Sequence, residues 1–226
     1  MAVAVVADAH LGGPGGEAGP LVEQLREIPQ RGAERLVLLG DLLQVWVGYP
    51  QYQTDEARAL VDAVTFVRGR GIPVDYVEGN RDFFLGRGPL ASAFDRVGTE
   101  TSFTTGGVRY LAVHGDGLND RDRQYLAWRW LSKSLPVRAV VRSLPKRIVA
   151  PMIHSTERRL SGTNFKHKMR IPEEAIRAYA ERRLAEGHDV LLLGHFHEPR
   201  TWKVAGGEVR LLEAWFSSRR VEWLGE

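Results

Sequence analysis

Arg35-Leu36-Val37-Leu38-Leu39-Gly40-Asp41 is an apolar run of strand length that stops at a glycine and a carboxylate. In an open α/β sheet, ligands bind just outside the carboxyl ends of the strands. A strand ending in Gly-Asp therefore delivers a carboxylate into that crevice, with a glycine leaving room beside it. The same arrangement recurs along the chain. Val3–Ala7 leads to Asp8 and His10, and Val74–Val77 leads to Gly79-Asn80. Val108–Val113 leads to His114-Gly115-Asp116, and Val190–Leu193 to Gly194-His195-Phe196-His197. Strand ends that deliver Asp, His and Asn to one place read as a metal site, with Asp41 as the candidate for its centre.

Around these runs the chain reads as α/β. Pro20 opens a helix with Leu21, Val22, Leu25 and Ile28 on one face. Gln51–Gly71 carries Ala57, Leu60, Val61, Val64 and Val67 at helical spacing. Pro172–Glu186 has proline at its first turn, Glu173-Glu174 at the end the helix dipole favours, and a stripe of Ile176, Tyr179, Ala180 and Leu184. Gly106-Gly107 and Gly206-Gly207 turn two hairpins, and Arg220–Leu224 reads as a last strand. Strand–helix alternation with late hairpins predicts a layered α/β sandwich with mixed sheets.

The length of 226 residues fits one domain, 1–226, carrying an insertion at about 121–170. Hydrophobic content of 43% and charged content of 26% are ordinary for a soluble globular protein. The absence of cysteine excludes disulfides, thiolate catalysis and cysteine-based zinc sites. The first residues enter a strand at once, without a signal-peptide pattern, and no apolar run approaches the roughly 20 residues of a membrane span.

The net charge of +3 hides an asymmetry. Between Arg121 and Arg170 there are thirteen Lys/Arg and two Asp/Glu, a balance of +11 against −8 for the remainder. So large a swing on one insertion points to an anionic partner more than to a solvated face. Within it, Gln124–Leu135 reads as one helix. Pro136 begins another, with Val137, Val140, Val141, Leu144 and Ile148 on one face and Arg138 and Arg142 away from it. Trp128 and Trp130 lie just upstream. Such a stripe packs on a core, lids an apolar ligand or lies on a membrane surface.

Seven residues are candidate ligands: Asp8, His10, Asp41, Asn80, His114, His195 and His197. Mixed carboxylate, imidazole and carboxamide donors suit manganese, iron or zinc. Two ions about 3.5–4 Å apart need about one bridging carboxylate and three further ligands each, which this set supplies if Asp41 is shared.

Asp8-Ala9-His10, Gly40-Asp41, Gly79-Asn80-Arg81-Asp82, His114-Gly115-Asp116 and Gly194-His195-Phe196-His197 resemble the ordered motifs of the calcineurin-like metallophosphoesterases. The resemblance implies a four-layer α-β-β-α sandwich, here with a helical cap insertion. It also implies one divalent ion on Asp8, His10, Asp41 and His197 and another on Asp41, Asn80, His114 and His195.

A narrower resemblance is to the UDP-2,3-diacylglucosamine hydrolases of lipid A synthesis. It rests on Gly40-Asp41-Leu42-Leu43-Gln44-Val45-Trp46, on Gly79-Asn80-Arg81-Asp82-Phe83, and on His114-Gly115-Asp116-Gly117-Leu118 with Asp122 and Tyr125 after it. It implies two Mn2+ ions, with Fe2+ or Zn2+ as alternatives, and cleavage of the UDP-linked lipid to UMP and a 2,3-diacylglucosamine 1-phosphate. A peripheral location at the cytoplasmic face of the inner membrane is implied as well. Asp41, Asn80, Arg81 and His195 would be catalytic. Asn80, Arg81, Asp122, Tyr125, Asn164, Lys168 and His195 would contact substrate, with Lys166 the other register for the lysine. The chain departs from that family at Val47-Gly48-Tyr49-Pro50, where further acidic residues are common.

Arg81 stands where the wider superfamily more often has histidine. A phosphate leaving group, with a second pKa of about 6, gains more from a fixed guanidinium than from a proton donor. Arg81 therefore favours pyrophosphate cleavage, the plain alternative being a surface ion pair with Asp82. A phosphodiesterase or nuclease on this fold, or a binding module without metals, are the competing readings; nucleic acid is disfavoured because the insertion is too apolar for a purely electrostatic groove.

Overall fold

The computed structural model describes residues 2–13, 16–119, 123–145, 147–149, 151, 155 and 171–225. The strands are β1 Ala2–Val6, β2 Ala33–Leu38, β3 Trp46–Val47, β4 Val74–Val77, β5 Asp82–Phe83 and β6 Arg96–Gly98. They continue with β7 Glu100–Thr105, β8 Val108–Val113, β9 Val190–Leu193, β10 Arg200–Val204, β11 Gly207–Leu211 and β12 Glu222–Leu224. The helices are α1 Ala18–Glu27, α2 Asp55–Arg68, α3 Arg123–Ser132, α4 Leu135–Ser143, α5 Glu173–Leu184 and α6 Trp215–Ser218.

One sheet has the order β12-β1-β2-β4-β6, parallel apart from β12. The other is β10-β11-β9-β8-β7, with a parallel centre and antiparallel edges. β3 and β5 form a separate two-stranded ribbon.

Side chains alternate across a strand, and here that period sorts the core into three layers. Ala4, Val6, Leu36, Leu38 and Val74 face α1 and α2. Their neighbours Val3, Val5, Val37, Leu39 and Val77 face Phe103, Tyr110, Ala112, Val190 and Leu192 of the second sheet. On that sheet's far side, Leu191, Leu193, Val209 and Leu211 meet Ile176, Ala180 and Leu184 of α5. The molecule is thus the expected α-β-β-α sandwich. Each buried Val, Leu or Ile contributes about 1.5–3 kcal/mol to holding it.

Boundaries differ in instructive ways. α2 starts at Asp55, not Gln51, because Pro50 opens a 3-10 turn and the Thr54 hydroxyl then accepts from Ala57 N at 3.2 Å. α1 begins two residues before Pro20, which the first turn tolerates because it needs no N–H there. The short β3, β5 and β6 carry no periodic signal of their own.

α3 and α4 occupy the cationic insertion. Asp122, Asn164 and Lys168, three of the expected substrate contacts, lie outside the described residues, as does Lys166. Among the described residues no helix is long and apolar enough to cross a membrane.

Candidate metal centre

The carboxyl ends of β1, β2, β4, β8 and β9 converge, and the seven candidate donors stand just beyond them. Backbone geometry marks these positions. Among the described residues seven non-glycine residues have positive φ, and five of them are Asp8 (51°), His10 (47°), Asp41 (52°), His195 (65°) and His197 (60°). The left-handed region costs such residues of order 1–3 kcal/mol each, and strain of this kind gathers at functional sites. It turns the chain sharply as each strand ends, so that consecutive strands deliver side chains inward.

The glycines before the donors follow from the closeness of those ends. A Cβ on Gly40, itself at φ 78°, would stand 2.5 Å from His114 Nδ1. One on Gly79 would stand 2.3 Å from Asp41 Oδ1.

The donors form two groups with Asp8 in both: Asp8 with His10 and His197, and Asp8 with Asp41 and His114. In the first, His197 Nε2 lies 3.0 Å from Asp8 Oδ1 and 3.3 Å from His10 Nε2. In the second, His114 Nε2 lies 3.6 Å from Asp41 Oδ1 and 3.3 Å from Asn80 Oδ1. The ring of His114 is set by Nδ1 against the Leu39 carbonyl at 2.9 Å. His195 is tied in by its backbone N–H on Asp8 Oδ2 at 2.8 Å, and its ring stands edge-on to His114, centroids 5.3 Å apart.

The electrostatics call for cations. Asp8, Asp41 and Asp82 are fully buried, and Asn80, Arg81, His114 and Asp116 nearly so. Burying carboxylates together is costly unless positive charge accompanies them. Burial and the Asp41 charge push Asp82 up to about 7. For Asp8 burial acts in the same direction, but the charges of His197 and His114 overcome it and hold the carboxyl well below its ordinary range. Asp41 Oδ2 is buried and accepts no hydrogen bond among the described residues, with the Arg81 Nε 3.3 Å away. A buried carboxylate oxygen left open, among imidazoles whose nitrogens face one another, fits a divalent ion held by oxygen and nitrogen donors.

The profile of the calcineurin-like phosphoesterases matches residues 1–199 of the chain. The chain belongs to that family. Among the relatives of this calcineurin-like phosphoesterase, the UDP-2,3-diacylglucosamine hydrolase of Enterobacter sp. is 31% identical over 96% of this chain and 92% of its own length. The protein of the same name from Ralstonia nicotianae is 28% identical over 93% of this chain and 82% of its own length. A solved Thermotoga maritima protein shares the fold, with 13% identity, coverage of 99% of this chain and 90% of its own, and a TM-score of 0.50.

The remaining predicted residues fall around this phosphoesterase centre. Arg81 is 4% exposed and is not a surface partner of Asp82. Its backbone N–H donates to Asp41 Oδ1 at 2.8 Å and an Nη to the Gln44 carbonyl at 3.1 Å. Tyr125 sits on α3, with its hydroxyl donating to Asp116 Oδ2 at 2.8 Å.

Sequence reading missed several supports. Asp82 Oδ2 accepts from Gly79 N at 2.7 Å and Asp41 N at 3.1 Å, tying two ligand loops together. Arg129 pairs with Asp116, and Lys133 Nζ donates to the Gly79 carbonyl at 2.6 Å. Asp82 and Asp116 had a signal, a carboxylate two residues from a candidate ligand. The two cations were hidden in a run of like charges.

Proposed function

We propose that the chain hydrolyses the pyrophosphate of a UDP-linked 2,3-diacylated glucosamine, giving UMP and the diacylglucosamine 1-phosphate. The carrying observation is a cavity of about 390 Å³ beside the metal centre, lined by Val47, Phe83, Phe84, Trp128, Val141 and Leu144 among others. That is the size range of ligand pockets, and its walls are almost wholly apolar. Phe83 lies three residues beyond Asn80 and Val45 four beyond Asp41, so the cavity wall is continuous in sequence with two of the candidate ligand loops. The names of the relatives point to the same substrate.

In this reading the 1–226 chain is one domain whose 121–170 insertion caps the site. Asp8, His10, Asp41 and His197 hold one divalent ion, and Asp41, Asn80, His114 and His195 the other, Mn2+ foremost with Fe2+ or Zn2+ as alternatives. A bound metal pair supplies an activated water and neutralises charge on the phosphoryl oxygens. Arg81, fixed beside Asp41, presents positive charge to the phosphate that leaves. Tyr125 and, from the rest of the cap, Asp122, Asn164 and Lys168 contact the substrate. The exposed Trp130, Leu131 and Leu135, in the same cationic insertion as Arg142 and Arg147, suit an anionic membrane surface at its cytoplasmic face.

The test uses Val140→Ser with Leu144→Ser, at the mouth and wall of the cavity, in Mn2+-loaded protein whose fold is checked by circular dichroism. Turnover of the diacylated UDP-sugar should fall steeply, while a small aryl phosphodiester is cleaved as before. Unchanged lipid turnover, together with salt-sensitive cleavage of RNA or DNA, would transfer the reading to a nuclease.

A further inference from the structure

Residues 214–219 close over the carboxyl end of β1. Trp215 is fully buried, with its backbone N–H on the Ala7 carbonyl at 2.8 Å and its indole N–H on Gln24 Oε1 at 2.8 Å. This anchor presents Phe216 to the metal centre. The Phe216 N–H reaches the Asp8 carbonyl at 3.3 Å. Its half-buried ring stands edge-on to His10, centroids 5.4 Å apart at 71°, and to His197 at 5.1 Å and 80°. The two imidazoles are themselves 5.2 Å apart at 71°, so three rings meet in one corner.

We infer that Phe216 is a positioning residue for the Asp8–His10–His197 half of the metal centre, fixing both imidazole planes and thereby setting that half's affinity for a divalent cation. The inference rests on the proposed metal pair and adds a residue to it. The left-handed backbone at His10 and His197 aims each Cα–Cβ bond, but the ring torsion of histidine is a broad two-fold well that the backbone leaves open. A ring in contact with both imidazoles removes that freedom. In the other half, His114 is out of reach of this ring set and is oriented by the Leu39 carbonyl, as the His197 ring is also aligned by Asp8 Oδ1 at 3.0 Å. Groups that orient metal ligands change metal affinity by about 10- to 100-fold, so loss of the Phe216 ring should weaken one ion and spare the other.

The experiment titrates Mn2+ into the metal-free full chain by calorimetry, with electron paramagnetic resonance to distinguish a coupled pair from a single ion. Wild type is compared with Phe216→Ala, Phe216→Tyr and Phe103→Ala. Phe103 stacks on Tyr110 between the sheets, so its loss reports plain destabilisation. Wild type should take two ions. Phe216→Ala should keep one at wild-type affinity, bind the second about 10- to 100-fold more weakly and lose the coupled signal at limiting metal. Phe216→Tyr should restore it, and Phe103→Ala should melt earlier while binding both ions normally. Two ions of wild-type affinity in Phe216→Ala, or equal weakening of both, would overturn the role of Phe216 alone. A wild type that takes no metal pair would overturn the metal reading with it.

Discussion

Arg81 and Asp82 are adjacent, buried and opposite in charge, yet they do different things. Arg81 lies against Asp41. If it neutralises a phosphate leaving group, Arg81→Ala should reduce pyrophosphate hydrolysis far more than hydrolysis of an activated aryl phosphodiester, in kcat/KM compared at saturating metal. Equal losses would make it a general support of the site. Asp82 binds two backbone amides and is pushed up to about 7 by burial and the Asp41 charge. A carboxyl raised in this way keeps a proton in the folded state that the unfolded chain has released, so stability falls as pH rises from about 4 to about 7. Asp82→Asn keeps an acceptor for both amides and removes that slope. Urea midpoints of the metal-free protein across this range should fall with pH in the wild type and flatten in the variant.

At the scale of the element, α3 and the residue after it are fastened to the candidate ligand loops. Tyr125, Arg129 and Lys133 are four residues apart, and they reach Asp116, Asp116 again and the Gly79 carbonyl. Asp116 is two residues past the candidate ligand His114, so α3 and the candidate site share one carboxylate. Removing one partner of a buried pair costs about 3–5 kcal/mol, because the other charge is left unpaired. Asp116→Ala should therefore cost more than the roughly 1.5–3 kcal/mol of Tyr125→Phe, which loses the hydrogen bond to that carboxylate. Asp116→Ala with Arg129→Met should recover part of the loss. Additive losses in denaturant titrations of this cycle would mean that the pair is not coupled. α4 is latched as well, with Tyr52 Oη on the Val141 and Leu144 carbonyls at 2.8 Å each and Arg138 Nε on Tyr49 Oη at 3.1 Å. Arg138 thus faces the body, and part of the cationic run is taken up within the fold.

Over the whole molecule, surface pairs bind sheet edges to helices. The Arg183 guanidinium on α5 donates to both carboxylate oxygens of Glu100 on β7, at 2.8 and 2.9 Å, and holds that carboxyl below its ordinary 4.5. For a carboxyl lowered on folding, the stabilisation is complete above the unfolded value and fades as pH falls through the folded one. The site is partly exposed, so the pair contributes only about 0.2–1 kcal/mol and less in high salt. Glu100→Gln should lower the melting temperature slightly at pH 7, and the difference should shrink as pH falls below the ordinary 4.5 and through the lowered folded value, where the wild type loses the same pair. A difference that persists in acid would point to packing.

The layered α/β order and the standing of the seven candidate donors just past strand ends were legible in the residues because both follow from local rules. Apolar runs of strand length, broken by Gly-Asp, Gly-Asn or Gly-His, fix where each strand stops, and the period of two assigns its faces. The amphipathic stripes of α1, α2 and α5 were legible for the same reason. Three-dimensional closure alone decided the rest. Arg129 and Lys133 read as members of a charged run because their partners, Asp116 and the Gly79 carbonyl, are 13 and 54 residues away. Phe216 carries no motif, and it reaches His10 through the hydrogen bonds of Trp215 and Phe216 N–H to the Ala7 and Asp8 carbonyls, more than 200 residues away in sequence. Sequence determines which side chains a strand end offers; which of them are then oriented, paired or covered depends on contacts between distant segments, and these exist only once the two sheets have closed on each other.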